Sequence, residues 1–145
     1  MIDKTVAAVL AALTLPAGDR PPDPRQVTCV AQVVYHEARG EHPLTQMLVA
    51  YTILDRRGPR HGATPCAVVG KSGQFVRHGR GHFEPAAWTN AVETAVMALS
   101  GGVPRPVAQP ITHFHDETVR PPWTKGMKLV AVYGKLWFWR VPDAL

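Results

Sequence analysis

The chain has 145 residues, of which 46% are hydrophobic and 19% are charged, and its formal net charge is +5. This length favours one domain with a single core, and the composition excludes a disordered chain. No apolar run approaches the roughly 20 residues that a membrane-spanning helix needs, so the sequence is typical of a globular protein whose charge suits a polyanionic partner: nucleic acid, a membrane surface or wall polymers.

Residues 1–22 are expected to form either a short hydrophobic helix packed on the domain or a weak signal-like segment. The run VAAVLAALTLPA follows Lys4, as a signal core would, but Asp3 offsets that charge and no convincing cleavage site follows. Residues 23–145 are assigned to one domain.

Two antiparallel helices joined by a tight turn are predicted for residues 24–56. Asp23 is the expected N-cap of the first helix, a proline fills the first helical position, and Gln26 stands where a capping box needs it. Apolar residues then recur at helical spacing until Gly40, where the helix is expected to end. Pro43 opens the second helix, and the sequence RRGP breaks it.

The segment 57–83 is rich in glycine, histidine and arginine, which predicts a long surface loop. One helical turn is expected in its short apolar patch, residues 66–69. Loops of this length tend to be functional. A third helix is predicted to start at Pro85 and to close at Gly101.

The C-terminal third is predicted to form a small antiparallel sheet. Residues 111–115 alternate in polarity as a strand does, and residues 129–140 contain two β-rich runs around Tyr133-Gly134-Lys135, which indicates a hairpin. Helices followed by a small sheet make an α+β domain.

Cys29 and Cys66 are the only cysteines, which excludes a four-thiolate zinc site. They could form a disulfide if the chain works outside the cytosol, or remain two buried thiols. The sequence leaves both possibilities open.

The segment YHEARGE, residues 35–41, places one acid beside the apolar stripe of the first helix. At about 100° per residue, Glu37 projects between Val30 and Val33. Partial loss of water there is expected to raise the pKa of Glu37, as a general acid working near neutral pH requires. Glu41 would share this side only if the helix continued; otherwise it could support Glu37 as a neighbouring partner.

A structural role for Glu37 must also be considered, because glutamates beside an apolar stripe often pair with an arginine, here Arg25 or Arg39. A metalloprotease helix is excluded, since the second histidine of its motif would fall on Gly40.

Two histidines near the predicted strand form a second group of candidates. Alternation places His113 and His115 on one face, which suits two metal ligands, a polar groove wall or a pair of satisfied core histidines. A third ligand from His36 or Asp116 is conceivable, but no spacing indicates it.

The segments YHEARGE, LDRR, CAVVGKSGQF, THFHDETVRPPW and YGKLWFW follow one another across roughly residues 26–140. In this order they resemble the SleB/CwlJ family of cell-wall hydrolases. The resemblance implies a peptidoglycan-cleaving enzyme with a small lysozyme-like or resuscitation-factor-like α+β fold, in which residues 23–145 are the catalytic domain. It also implies that Glu37, the first acid of EARGE, is the catalytic residue.

The sequence departs from the family pattern at two places that bear on substrate contacts. The family's QFSW is QFVR at residues 74–77, and its late Gly-x-His is GKL at 134–136. Part of the glycan-contacting surface is therefore expected to be remodelled.

A sugar groove needs flat apolar faces beside hydrogen-bonding groups. The predicted substrate-binding residues are Tyr35, Glu41, Gln74, Phe75, His113, His115 and Trp123. The remaining large aromatic residues are assigned to core or sheet packing: Trp88, Trp137, Phe138 and Trp139.

The predicted reaction is cleavage of the bond between N-acetylmuramic acid and N-acetylglucosamine by a lytic transglycosylase, which needs one essential carboxyl group and no metal or other cofactor. A water-using muramidase is the alternative, and it would recruit a second carboxylate about 5 to 10 Å away. The candidates for this second group are Glu41, Glu93, Asp116 and Glu117.

Other classes of function are less favoured. A zinc amidase or peptidase would cut the stem peptides instead of the glycan. A nucleic-acid-binding module would explain the basic charge, but the sequence contains none of the usual binding motifs. We therefore expect a monomer that acts on peptidoglycan in the periplasm or cell wall, after export or release during phage lysis, without stable membrane insertion.

Overall fold

The computed structural model describes residues 2–71 and 82–142. These residues form an α+β fold, as predicted, with helices first and an antiparallel sheet last. The helices are α1 (Lys4–Ala12), α2 (Pro24–Ala38), α3 (Pro43–Asp55), α4 (Pro65–Gly70) and α5 (Pro85–Ser100). The strands are β1 (His113–Asp116), β2 (Lys128–Tyr133) and β3 (Leu136–Arg140), and a short 3-10 helix, Pro122–Thr124, lies between β1 and β2.

Helix α2 begins where its sequence predicts. The Asp23 carboxylate accepts the Arg25 N–H at 2.8 Å, which satisfies one of the free donors at the helix start. The expected capping box is wrong, because the Gln26 side-chain oxygen instead accepts the Cys66 N–H of α4 at 2.9 Å. The residue that local sequence rules assign to a cap therefore links two helices.

Helix α3 is the centre of the domain. The sequence predicts one apolar face, but all ten residues from Thr45 to Leu54 are buried, including three polar ones. Thr52 is satisfied within the helix by donating to the Leu48 carbonyl at 2.9 Å. Helices α2, α4 and α5 and strand β1 all contact α3, so its polar residues lie in the core with its apolar ones.

Helix α1 packs on α5 and α2 through Val6, which is fully buried. Asp3 caps α1 by accepting the Thr5 N–H at 2.8 Å, and the same oxygen accepts from the Trp88 indole at 3.2 Å. Within residues 2–71 and 82–142, no helix has both the length and the apolar character that a bilayer crossing requires.

A disulfide joins Cys29 of α2 to Cys66 of α4, which decides the question that the sequence left open. The short helix α4 is also the helical turn predicted inside the long loop. Because the disulfide and the Gln26 hydrogen bond act at the same place, the start of α4 is held firmly against α2.

The three strands pair in the order β1-β3-β2, and both pairings are antiparallel. Leu136 and Phe138 of β3 are buried against the helices. Their neighbours Trp137 and Trp139 point to the opposite face, where register places them across from His115 and His113. The assignment of Phe138 to the core is confirmed, as is that of Trp88 on α5, whereas the two strand tryptophans pack on the outer face of the sheet.

Candidate active site

Glu37 lies in the last turn of α2 and is partly buried. Its helical phase is shared with Gln26, Val30 and Val33. Because Gln26 bonds to α4 and both valines are buried, Glu37 lies along the side of α2 that faces α4 rather than on the solvent side. The raised pKa of Glu37 stays a prediction.

Arg39, one of the predicted structural partners of Glu37, is engaged elsewhere. Its Nε pairs with the Glu84 carboxylate at 3.2 Å, and its Nη1 donates to the Tyr35 hydroxyl at 2.6 Å. The guanidinium also lies over the Tyr35 ring, 4.5 Å from its centroid. Arg39 therefore joins α2 to the segment that precedes α5.

Tyr35, a predicted substrate-binding residue, lies about 200° around α2 from Glu37. Only 6% of its surface is exposed, and its ring meets Trp88 edge to face. Its hydroxyl accepts the Glu84 N–H at 3.0 Å as well as the bond from Arg39. These contacts leave little of the ring for a sugar to stack on.

Glu41 connects the turn after α2 to the β2–β3 hairpin. Its Oε1 accepts the Lys135 N–H at 3.2 Å, and a Cβ added to Gly134 would lie 3.0 Å from Oε2. Gly134 also has a positive φ of 58°, which disfavours other residues. The carboxylate thus binds hairpin backbone and fixes the sheet relative to the end of α2. Gln74 and Phe75, two further predicted contacts, lie outside the described residues.

His113, His115 and Trp123 come together on the outer face of the sheet. The Trp123 ring centroid lies 5.0 Å from that of His113 and 5.6 Å from that of His115. His115 also stacks on Trp139 at 5.9 Å. We call these side chains, with Trp137, the aromatic face of the sheet.

The aromatic face contains two polar atoms without a partner among the described residues. His115 Nδ1 lies 2.8 Å from the Asp116 carbonyl, which can only accept, so this nitrogen carries a hydrogen and donates it. His115 Nε2 and Trp139 Nε1 are both buried and unpaired within that part of the chain. Buried polar atoms of this kind are costly unless a ligand or water meets them.

The sequence interpretation missed Trp137 and Trp139 as members of this face. The signal was available in LWFWR, because strand alternation separates Leu136 and Phe138 from the two tryptophans. Arg120 lies over the Trp137 ring, with its guanidinium carbon 4.9 Å from the centroid. Aromatic rings beside a cation and histidines can bind a polar ligand that has flat apolar surfaces.

His113 is held in its neutral form near neutral pH. Burial, aided by the positive charge of Arg56 and by that of His61 when it is protonated in acid, lowers the pKa of His113 from its ordinary 6.5 to about 4. Its Nδ1 lies 2.9 Å from the Thr112 hydroxyl. A neutral imidazole can exchange hydrogen bonds with hydroxyl groups without adding charge to the site.

This shift predicts a loss of stability in acid. Between pH 6.5 and 4 the unfolded chain binds a proton at His113 that the folded chain does not, so the contribution of His113 to the free energy of unfolding should be constant above pH 6.5 and fall as the pH approaches 4. The full effect is about 3 kcal/mol at most, and less here because the side chain is partly exposed. Urea unfolding at pH 7 and pH 4.5 measures it.

The matched variant for this measurement is His113→Gln. We expect its loss of stability between the two pH values to be smaller than that of the wild type by about 1 to 2 kcal/mol. An identical pH dependence in both proteins would show that His113 does not carry the effect.

Within residues 2–71 and 82–142, no three His, Cys, Asp or Glu side chains converge as metal ligands would. His113 and His115 lie on one strand face as predicted, but their ring nitrogens meet Thr112 and the Asp116 carbonyl.

Comparison with known proteins identifies the family of the chain and a solved structure with a similar fold. Residues 40–139 match the family described as Cell Wall Hydrolase, and this range begins just after Glu37. The catalytic domain of the Bacillus cereus SleB protein, in its crystal structure, has a similar fold, with a TM-score of 0.62 and 21% sequence identity over 86% of this chain and 100% of that domain. No curated protein gave a significant match. Because the family match spans more than half of the sequence, the chain belongs to the SleB/CwlJ-type cell-wall hydrolase family.

Proposed function

We propose that this cell-wall hydrolase cleaves the β-1,4 bond between N-acetylmuramic acid and N-acetylglucosamine as a lytic transglycosylase, with Glu37 as the catalytic residue. Membership of the family supports a peptidoglycan-degrading enzyme. The observation that supports the choice of reaction is that two of the other candidate carboxylates, Glu41 and Asp116, are bound by backbone N–H groups and a third, Glu93, lies on α5.

In the proposed reaction, Glu37 donates its proton to the glycosidic oxygen as the bond from C1 of the muramic residue breaks. The resulting carboxylate then accepts the proton of the muramic 6-hydroxyl, whose oxygen forms a new bond to C1. The product is a 1,6-anhydro sugar, and Glu37 regains its proton. One carboxyl group suffices because the substrate supplies the nucleophile.

A water-using muramidase would need a second carboxylate near the sugar. Glu41 binds the Lys135 backbone and packs on Gly134. The Asp116 carboxylate accepts the Thr118 N–H at 2.8 Å, and this bond holds the pKa of Asp116 below its usual value. Both groups are occupied by backbone N–H donors of the fold.

The other two candidates are exposed. Glu93 lies on α5 and lines a shallow cavity with Val9 and Leu13 of the α1 segment. Glu117 follows β1 directly, and its N–H donates to the carbonyl of Lys135, whose own N–H binds Glu41. Glu117 is therefore the remaining candidate for the second carboxylate of a muramidase.

We assign the aromatic face of the sheet to glycan binding. Trp123 is 36% exposed, so one large ring can lie against a sugar while His115 and Trp139 offer buried polar atoms beside it. The neutral form of His113 supports the same role, because sugar hydroxyls need donors and acceptors rather than a fixed charge.

The proposed setting is the cell wall, reached by export or by release during lysis, with a monomer acting on glycan strands. The Cys29–Cys66 disulfide supports a compartment outside the reducing cytosol. The net charge of +5 favours approach to an anionic wall.

Mass spectrometry of peptidoglycan digested by the purified chain tests the reaction. We expect muramic ends in the 1,6-anhydro form, one water lighter than reducing ends. Reducing muramic ends would support the water-using muramidase instead.

Freed stem peptides on an intact glycan, with activity lost in a chelator, would instead support a zinc amidase or peptidase. Digestion with and without chelator therefore separates the three reactions in one experiment.

A further inference from the structure

A cavity of about 350 Å³ lies at the C-terminal end of α3, between that end, the loop that follows it and the start of β1. Three arginines and one histidine line it: Arg56, Arg57, Arg60 and His61. The site described above uses none of these four side chains.

Among the described residues, Asp55 is the one acid that lines the cavity, and it does not offset this charge. Both oxygens of Asp55 pair with Arg105, at 2.7 and 2.6 Å, and one of them also accepts the Ile111 N–H at 2.8 Å. The negative charge of Asp55 is therefore already balanced by the positive charge of Arg105. The cavity keeps a surplus of positive charge.

Two arginines at the cavity have donors to offer. Arg57 uses its Nε to bind the Leu54 carbonyl at 2.9 Å, and among the described residues its two terminal nitrogens have no acceptor. The exposed Arg60 side chain has no acceptor in that part of the chain either, while its backbone carbonyl accepts a bond from Lys71. Arg56 is buried and donates to the Thr112 carbonyl, so it contributes charge and holds β1 in place.

His61 lines the cavity, and its Nδ1 is buried without a partner among the described residues. Burial, with the nearby charges of Arg56, Lys71 and Arg60, lowers the pKa of His61, so the ring is neutral at neutral pH. A neutral imidazole carries one N–H, which it can donate to an anion.

The loop that carries Arg60 and His61 is held in one shape. Gly58 and Gly62 close it with two backbone hydrogen bonds of 2.8 and 2.9 Å. Gly62 has a φ of 124°, and an added Cβ would lie 2.7 Å from the Ala67 Cβ of α4, so the loop rests directly on α4. Since α4 is in turn joined to α2 by the disulfide, the backbone that carries Arg60 and His61 is positioned before any ligand arrives.

The geometry points to a carboxylate-binding subsite, and we propose that it takes a free carboxylate of a peptidoglycan stem peptide. Two guanidinium groups and an imidazole N–H can bind a carboxylate with charge-assisted hydrogen bonds. The inference rests on the proposed function, because that function supplies a substrate whose stems carry carboxylates beside the cleaved glycan.

The position of the cavity fits a stem better than the cleaved bond itself. Glu37 lies at the end of α2 that leads through a short turn into α3, whereas the cavity lies at the far end of α3, about 20 Å along a helix of 13 residues. An extended peptide of roughly four or five residues spans about 13 to 18 Å. This span is slightly shorter than α3, so the stem that reaches the cavity belongs to a muramic residue bound on the cavity side of Glu37 rather than at Glu37 itself.

Steady-state kinetics of Arg60→Ala and of Arg57→Ala/Arg60→Ala test the proposal on two substrates. These are peptidoglycan with intact stems and glycan strands stripped of peptide. We expect KM to rise about tenfold for Arg60→Ala on the stem-bearing substrate, more for the double variant, with kcat little changed. On stripped strands the variants should match the wild type.

Arg20→Ala is the control, because Arg20 is also exposed, carries the same charge and is not among the residues that line the cavity. It should behave as the wild type on both substrates. Equal KM increases for Arg60→Ala and Arg20→Ala, or the same increase on both substrates, would overturn the proposal. Product analysis of the wild type is independent, so failure of the glycosidic reaction and failure of this subsite remain distinguishable.

A direct binding measurement identifies the anion that the cavity takes. In an NMR titration with a synthetic stem tetrapeptide, the His61 ring signals should shift when the peptide carboxylates are free and stay in place when they are amidated; His61→Gln assigns the signals. Shifts produced by inorganic phosphate at lower concentration than by the peptide would overturn the assignment to stem carboxylates.

Discussion

Replacing Glu37 with glutamine is expected to lower the rate of wall lysis by at least a hundredfold, because glutamine cannot donate the proton that the leaving sugar needs. The two side chains are nearly the same size, so a partly buried position in the last turn of α2 should accept the change. Turbidity of a suspension of purified walls measures the rate, and circular dichroism with a thermal melt checks the fold.

Glu93→Gln is the matched control for this variant. Glu93 is exposed on α5, and its replacement makes the same chemical change at a position outside the proposed reaction. Lysis by Glu93→Gln should equal that of the wild type. If a well-folded Glu37→Gln protein lysed walls at a comparable rate, the acid–base role of Glu37 would have to be abandoned.

Removing the disulfide should have the second large effect. The bond closes a loop with a sequence separation of 37, and the loss of this cross-link is expected to lower the free energy of unfolding by about 3 to 4 kcal/mol. For a domain of this size the melting temperature should fall by roughly 10 °C. Calorimetry of Cys29→Ser/Cys66→Ser measures both quantities.

A reducing agent provides the control for that measurement. Dithiothreitol should lower the melting temperature of the wild type towards that of the double variant and leave the double variant unchanged. Equal melting temperatures for the oxidised wild type and the variant would show that the bond adds no stability.

The lysis and unfolding measurements test different parts of the molecule. The first depends on one side chain at the end of α2, and the second on the attachment of α4 to α2. Because α4 supports the loop of the carboxylate-binding subsite, a reduced protein should also lose part of its preference for stem-bearing peptidoglycan.

The helix starts are the part of the fold that sequence reasoning predicted best. Asp23 caps α2, and prolines open α2, α3 and α5 as predicted, because these signals act within a few residues of the chain. The hairpin around Gly134 follows from the same kind of local preference. Predictions of this kind need no knowledge of distant contacts.

The roles of individual side chains were harder to predict. Gln26 has the spacing of a capping residue, yet it bonds to α4, 40 positions away along the chain. Tyr35 stands beside the catalytic candidate in sequence, but helix geometry turns it towards α5. In both cases a partner from another element decides the role.

By itself, the sequence determined the class of fold, the order of its helices and strands, the family and the candidate carboxyl group, because periodicity, capping residues and short motifs are local properties of a chain. Only the tertiary structure decided that Cys29 and Cys66 are bonded, that two tryptophans join His113 and His115 on one face, and that Arg57, Arg60 and His61 line one cavity. These features depend on which elements pack together, and packing energy is shared among residues far apart in the chain, so no short stretch of sequence contains it.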